Sequence, residues 1–204
     1  SDLKLELITT GEKSGTWGTI TNTNLQILEQ ASSGYLSLDV ASGDVALSLA
    51  NHATANGKNL YYKLTGTLTA NRTVTMPDSA ERVFIVEDAT ARSSSNYTLT
   101  VKTVSGTGLA LPVASTTVMY SDGTNITGKM QTKGYYTPTT TYTTVNGDQI
   151  LVDTSGSGIG TAITINLPAS PAVGNEVTFI DSGNNFASNN LTIGRNSSNI
   201  LGSG

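Results

Sequence analysis

Apolar residues along this chain recur mostly at every second position. Leu36, Leu38 and Val40 alternate with other residues, and Val45, Leu47 and Leu49 do the same beyond Ala41-Ser42-Gly43-Asp44. A period of two puts apolar side chains on one face of a strand. The short Gly-containing segment between the two runs predicts a hairpin. Further strands are predicted over 60–65, 72–76, 82–87, 97–102 and 116–120, with Gly, Asn, Ser or Pro between them. Short strands at this spacing predict a sandwich or barrel. Only the first stretch breaks the pattern. There Thr21-Asn22-Thr23-Asn24 offers helix caps, and Leu25, Leu28 and Ala31 follow at helical spacing, which predicts one short helix over 22–32. Its single apolar stripe is too small to stand alone, so the helix must dock on the body, a symmetry mate or another protein.

The two halves repeat each other with a period of about 92 residues. Thr73-Val74-Thr75-Met76-Pro77 resembles Thr164-Ile165-Asn166-Leu167-Pro168. Phe84-Ile85-Val86-Glu87-Asp88 lines up with Val177-Thr178-Phe179-Ile180-Asp181, and Leu99-Thr100-Val101 with Leu191-Thr192-Ile193. The physical reading is one β unit used twice: a strand closed by proline, a strand ending in an aspartate turn, a polar loop and a third strand. The Thr/Tyr-rich segment Gly134-Tyr135-Tyr136-Thr137-Pro138-Thr139-Thr140-Thr141-Tyr142 is expected to link the copies and to be ordered against a neighbour. The expected organisation is residues 1–33 with the helix, 34–133 as a first β unit and 134–204 as a second. The first copy continues to a strand over 116–120, whereas the second stops at Ile200-Leu201-Gly202-Ser203-Gly204. A sheet short of a strand leaves an open edge, so further chain or a partner is expected to supply it.

Composition narrows the class further. Charged residues make up 13% and hydrophobic residues 37%, with 21 glycines, a balance that suits exposed strands and turns. The fold class expected is all-β: a short amino-terminal segment with one small helix, then two related β-sandwich-like units, oligomeric and trimeric. The net charge is −4, and the scattered Lys and Arg give no footprint for nucleic acid. No run approaches the ~18 apolar residues of a membrane helix, and residues 1–15 lack the apolar core of a signal peptide. With no cysteine, durability is expected to come from packing or oligomerisation.

Candidate chemistry is thin. The lone His52 sits in a polar stretch with no partner motif and reads as a loop residue. Asp39, Asp44, Asp78, Glu81, Glu87 and Asp88 could converge as a glycosidase pair, but most fall in predicted turns where Asp caps backbone groups. Gly156-Ser157-Gly158-Ile159-Gly160 lacks the lysine and helix of a phosphate loop. Glycosylation-type triplets at Asn71, Asn96, Asn125, Asn190 and Asn196 are what an Asn- and Thr-rich chain produces by chance. Tyr61, Tyr62, Tyr135, Tyr136 and Tyr142 are candidates for stacking on host sugars or, with more weight, for packing at subunit interfaces. No catalytic, cofactor or metal residue is expected.

Gly11-Glu12-Lys13-Ser14-Gly15-Thr16-Trp17-Gly18, followed by Thr21-Asn22-Thr23-Asn24-Leu25, resembles the amino-terminal segment of phage tail-fibre proteins, notably those of marine cyanophages. The shared pattern is Gly-Thr-Trp-Gly, then Asn-x-Asn, then a short helix. The stretch from Leu167-Pro168 through Phe179-Ile180-Asp181, Leu191-Thr192-Ile193 and Asn199-Ile200-Leu201-Gly202 is similar to a β module of such fibres. There the module continues into another strand and a Gly-Trp ending. The resemblance implies a homotrimeric virion protein that attaches to other tail or capsid proteins through its amino-terminal part and presents β modules outward for host contact, with a host surface glycan as a further partner. It implies no enzymatic activity, no cofactor, no nucleic acid and no membrane insertion. A capsid decoration protein and a carbohydrate-binding adhesin module are the alternatives. The attachment residues it points to are Trp17, Gly15, Gly18, Asn22, Asn24, Leu25 and Leu28. Trp17, between Gly15 and Gly18 where backbone can approach a large ring, either anchors the segment to a partner or is an ordinary core tryptophan.

Overall fold

The computed structural model describes residues 2–93, 97–132, 134–155 and 164–197. Helix α1 (Trp17–Ser33) is followed by strands whose partners lie one turn further along the chain rather than next to them. The first turn holds β1 (Tyr35–Asp39) and β2 (Val45–Ala46). A single 3₁₀ turn, Asn56–Lys58, leads into the second, with β3 (Tyr61–Thr65), β4 (Thr67–Leu68) and β5 (Arg72–Met76). The third has β6 (Glu81–Asp88), β7 (Ala91–Arg92) and β8 (Leu99–Thr103). Pairing runs parallel from turn to turn: β1 with β3 and β3 with β6, β2 with β5 and β5 with β8, β4 with β7. The result is a β-solenoid-like stack with three faces, not a barrel.

Three antiparallel strands follow, β9 (Gly108–Ala110), β10 (Thr116–Asp122) and β11 (Ile126–Thr132). β9 pairs with β8, β10 with β6 and β11 with β10, so the outer ladders of β6 and β8 are covered. A second, smaller stack comprises β12 (Tyr135–Tyr136), β13 (Tyr142–Thr143), β14 (Gln149–Val152), β15 (Thr164–Asn166), β16 (Thr178–Asp181) and β17 (Thr192–Gly194). It is parallel throughout, in the orders β12-β14-β16 and β13-β15-β17.

The internal repeat is present in this architecture with its register kept. Val74 pairs with Val101 in the first stack, and their sequence equivalents Ile165 and Ile193 pair in the second. Ile85 lies beside Tyr61 as its equivalent Thr178 lies beside Gln149. What the repeat encodes is a solenoid turn, so the sandwich-like arrangement expected from strand spacing is corrected to stacked parallel turns. The fourth strand of the first copy is β10; the matching tail of the second copy, from residue 198, lies outside the described residues, as do Asn96, Gly156–Gly160 and the boundary at 133. The Thr/Tyr segment after 133 is no spacer, because it supplies β12 and leads into β13, the first turn of the second stack.

The expected hairpin between Leu36 and Leu49 is not formed. β1 and β2 lie in different sheets, and the corner between them is tied to the next turn. Asp39 Oδ1 accepts from Ala41 N at 2.8 Å, while the Arg72 guanidinium donates to Val40 O at 3.1 Å and Ala41 O at 2.8 Å. Asp44 Oδ1 accepts from Thr73 N at 2.8 Å. The same kind of link recurs one turn apart at Asn71 with Thr98 N (3.0 Å), Asp78 with Ser105 N (3.2 Å) and Asn146 with Glu176 N (2.8 Å). These side-chain carbonyls extend the backbone ladder around corners where the strands are interrupted.

Alternation fills the interior. Val40, Leu64, Leu68, Met76, Phe84, Leu99 and Met119 have no exposed surface and belong to one core. Tyr62 joins them with its ring edge-on to Phe84 at 6.0 Å. Burial of each such side chain contributes about 1.5–3 kcal/mol. The second stack has its own core of Tyr142, Ile150, Val152 and Ile165, which also buries Val113 from the connection between β9 and β10.

Candidate functional site

Helix α1 was expected over 22–32 but begins at Trp17. Thr21, Asn22, Thr23 and Asn24 are therefore helix interior, not caps. Ile27 is its one fully buried residue. Two amides do the rest of the docking. Asn24 Nδ2 donates to Glu6 O at 2.7 Å and its Oδ1 accepts from Glu6 N at 3.1 Å, so the side chain pairs with the backbone of residue 6 as a strand would. Gln30 makes the matching pair with Ala55, 3.0 Å to the carbonyl and 3.3 Å from the amide. Lys13 Nζ adds an ion pair to Glu6 at 3.1 Å.

The docked face leaves a second stripe outward. Trp17, Leu25 and Leu28 are 64%, 57% and 43% exposed and fall within an arc of about 80° at 100° per residue. Trp17 is thus no core tryptophan of this unit. Nor do its glycines serve close approach, because a Cβ at Gly15 or Gly18 would meet nothing within 4 Å. Gly15 instead supplies a φ of +80° just before the helix. Of the seven residues singled out from sequence, Trp17, Leu25 and Leu28 share this surface, Asn22 is exposed beside it, and Asn24 turns to Glu6. Glu6, Ile27 and Gln30 escaped the sequence reading, since their partners are fixed only by the fold.

A broader surface lies on the outer face of the sheet β1-β3-β6-β10-β11. Tyr35, Tyr61, Ile85, Val118 and Met130 are successive cross-strand neighbours and form one row across all five strands. Beside it, Val83 faces Tyr120. Tyr35, Val83 and Met130 are more than half exposed. On the other side is a polar row in which Glu87 accepts from the Tyr61 hydroxyl at 2.8 Å and pairs with Lys63 at 3.0 Å. These contacts, the Tyr61 hydrogen bond foremost, hold the Glu87 carboxyl below its ordinary range. Of the five tyrosines that were candidates for sugar stacking or subunit interfaces, Tyr62 and Tyr142 are corrected to core positions. Burial pushes the Tyr62 hydroxyl up to about 12.

The third cluster lies where the stacks adjoin. Asp88 and Arg92 form a buried ion pair at 2.9 Å. Near Arg92 lie Tyr136, Tyr142 and Asp148. Asp148 is 2% exposed. Its Oδ2 accepts from the Tyr142 hydroxyl and from Val145 N, both at 2.8 Å, while its Oδ1 has no hydrogen-bond partner. Burial raises both the Asp148 carboxyl and the Tyr142 hydroxyl above their ordinary values. Asp88, Arg92, Tyr142 and Asp148 are thus all buried side chains.

His52 has a positive φ of 55° in a loop, with Nδ1 3.7 Å from Glu6 Oε2. Asp39, Asp44, Asp78 and Asp88 bond backbone amides at corners, as turn residues do. Among the described residues no group of three or more His, Cys, Asp or Glu could hold a metal ion, and no helix is long and apolar enough to cross a membrane. Comparisons with protein-family models, curated proteins and solved structures find no match to this chain.

Proposed function

We propose that this chain is a structural segment of a virion appendage such as a phage tail fibre, joined to the particle through its amino-terminal part and extending its β stacks outward as an oligomer. The observation that carries the reading is the parallel stacking of turns. Such a stack grows along one axis, each turn contacting only its neighbours, which makes a stiff extended element of a short chain. Two things support it further: the resemblance of residues 11–25 to tail-fibre amino termini, and the outward stripe of Trp17, Leu25 and Leu28, which fits an attachment role.

Direct imaging of the labelled protein on particles tests the proposal. Density on a tail appendage supports it. Density on the head favours a capsid decoration protein, and absence from the particle overturns both. Trp17→Ala is expected to reduce incorporation while the isolated chain keeps its circular dichroism spectrum. Unchanged incorporation would refute the attachment role of the stripe.

A further inference from the structure

The outer face of the five-stranded sheet carries more apolar surface than a solvated face needs. Its central row, Tyr35, Tyr61, Ile85, Val118 and Met130, holds no charge, and Val83 and Tyr120 widen it on one side. We propose that this face is the docking surface for a second copy of the chain, sheet against sheet. The proposal goes beyond the function proposed above, because it pairs two copies with their stacks antiparallel and does not rest on attachment through the amino-terminal part.

Four observations favour a second copy over another occupant. The first is charge. The chain carries a net −4, so its copies repel in general, yet beside the apolar row Glu87 is balanced by Lys63 at 3.0 Å, and the acidic neighbours Glu81 and Asp122 lie at the far end of the face. The second is composition, for tyrosine, methionine and branched aliphatics surrounded by polar residues are what the centre of a protein interface contains. The third is self-complementarity. With a two-fold axis along the strands through Ile85, the row meets itself reversed, so that Tyr35 opposes Met130 and Tyr61 opposes Val118. Thioether against aromatic ring is a favourable contact. The fourth is size. Four strand intervals span about 19 Å, and the six steps from Glu81 to Glu87 span about 20 Å. A face of roughly 400 Å² in projection gains area from standing side chains and approaches the ~800 Å² that one partner of a standard interface loses.

A glycan is the weaker candidate for this face. The Tyr35 and Tyr61 rings stack on each other, with centroids 5.8 Å apart and planes at 21°. Each thus covers a face of its neighbour rather than lying flat as a platform, and the Tyr61 hydroxyl is already bonded to Glu87. Upright side chains interdigitate well with a second sheet.

Sedimentation and light scattering of the isolated chain, from micromolar to millimolar concentration, test the proposal. The wild type is expected to associate. Ile85→Lys, with its side chain outward, is expected to weaken association by about tenfold or more at unchanged circular dichroism. Tyr35→Ser at the sheet edge is a second variant with little risk to folding. Because the chain has no cysteine, crosslinking reads the geometry directly. Ile85→Cys should link to itself, and Tyr35→Cys mixed with Met130→Cys should link to each other in preference to themselves. A wild type that stays monomeric throughout, association untouched by both Ile85→Lys and Tyr35→Ser, or a monomer that saturably binds host glycan through this face would overturn it. Imaging on the particle is a separate readout, so failure here leaves the appendage reading to be judged on its own test.

Discussion

Gly66 offers a direct test of the stacked-corner geometry. It joins β3 to β4 with a φ of +103°, and a Cβ placed on it would lie 2.4 Å from Asp39 Oδ1 and 2.9 Å from Ala41 Cβ, both on the turn below. Gly66→Ala therefore acts twice. An L-residue in left-handed backbone loses about 1–2 kcal/mol. Displacing the Asp39 carboxylate also gives up its 2.8 Å hydrogen bond from Ala41 N, which contributes about 0.5–1.5 kcal/mol. The sum, about 1.5–3.5 kcal/mol, corresponds to a fall in Tm of roughly 3–14 °C for a chain of this length. Gly18→Ala is the matched control. Gly18 lies in α1 and a Cβ there meets nothing within 4 Å, so the substitution is expected to stabilise by about 0.5–1 kcal/mol. Thermal unfolding followed by circular dichroism compares the two. The corner geometry is refuted if Gly66→Ala melts with the wild type, or if both variants shift the same way.

Two further outcomes follow from the same contacts. Burial raises the Asp148 carboxyl, so the folded chain holds that proton more tightly than the unfolded chain. Its contribution to stability is fully present below the unfolded value of about 3.9 and is lost as pH rises through the higher folded value. Asp148→Asn keeps an acceptor for Tyr142 and Val145 without that titration. Wild-type stability minus variant stability, measured by denaturant titration, should therefore fall as pH rises from acid toward neutral, and a difference independent of pH would contradict it. Asn24→Ala removes both hydrogen bonds to Glu6, a loss of about 1–3 kcal/mol confined to the amino-terminal segment. Hydrogen exchange should quicken at residues 3–9 while β3 and β6 stay protected, and uniform loss of protection would show the segment to be part of the main cooperative unit.

Much of the fold was legible because alternation is a local property. The strands predicted over 72–76 and 82–87 are β5 and β6 within one residue, and the repeat located equivalent turns with their pairing intact. What period two does not encode is the partner. Leu36–Val40 and Val45–Leu49 satisfy a hairpin and a solenoid turn equally, and the decision falls to Arg72 and Thr73, which hold the corner from the next turn. Asp44 and Asp78 read as local turn residues for the same reason. Yet they, like Asn71 and Asn146, each bond an amide 27 to 30 residues away. The surface row is the extreme case. Tyr35, Tyr61, Ile85, Val118 and Met130 are unremarkable in sequence, and only the register of four strand pairs places them side by side. Leu25 and Leu28 needed no such information, because helical spacing alone joins them, whereas Trp17 joins them only because the helix begins at residue 17 rather than 22. A stripe set by helical spacing survives changes elsewhere in the chain, whereas a row set by register does not: a one-residue slip of β10 against β6 would turn Val118 inward and break the row at its fourth member. The proposed docking row can therefore be lost in two separable ways, by a single outward change such as Ile85→Lys at unchanged fold or by a slip of register, and measuring stability alongside association tells the two apart.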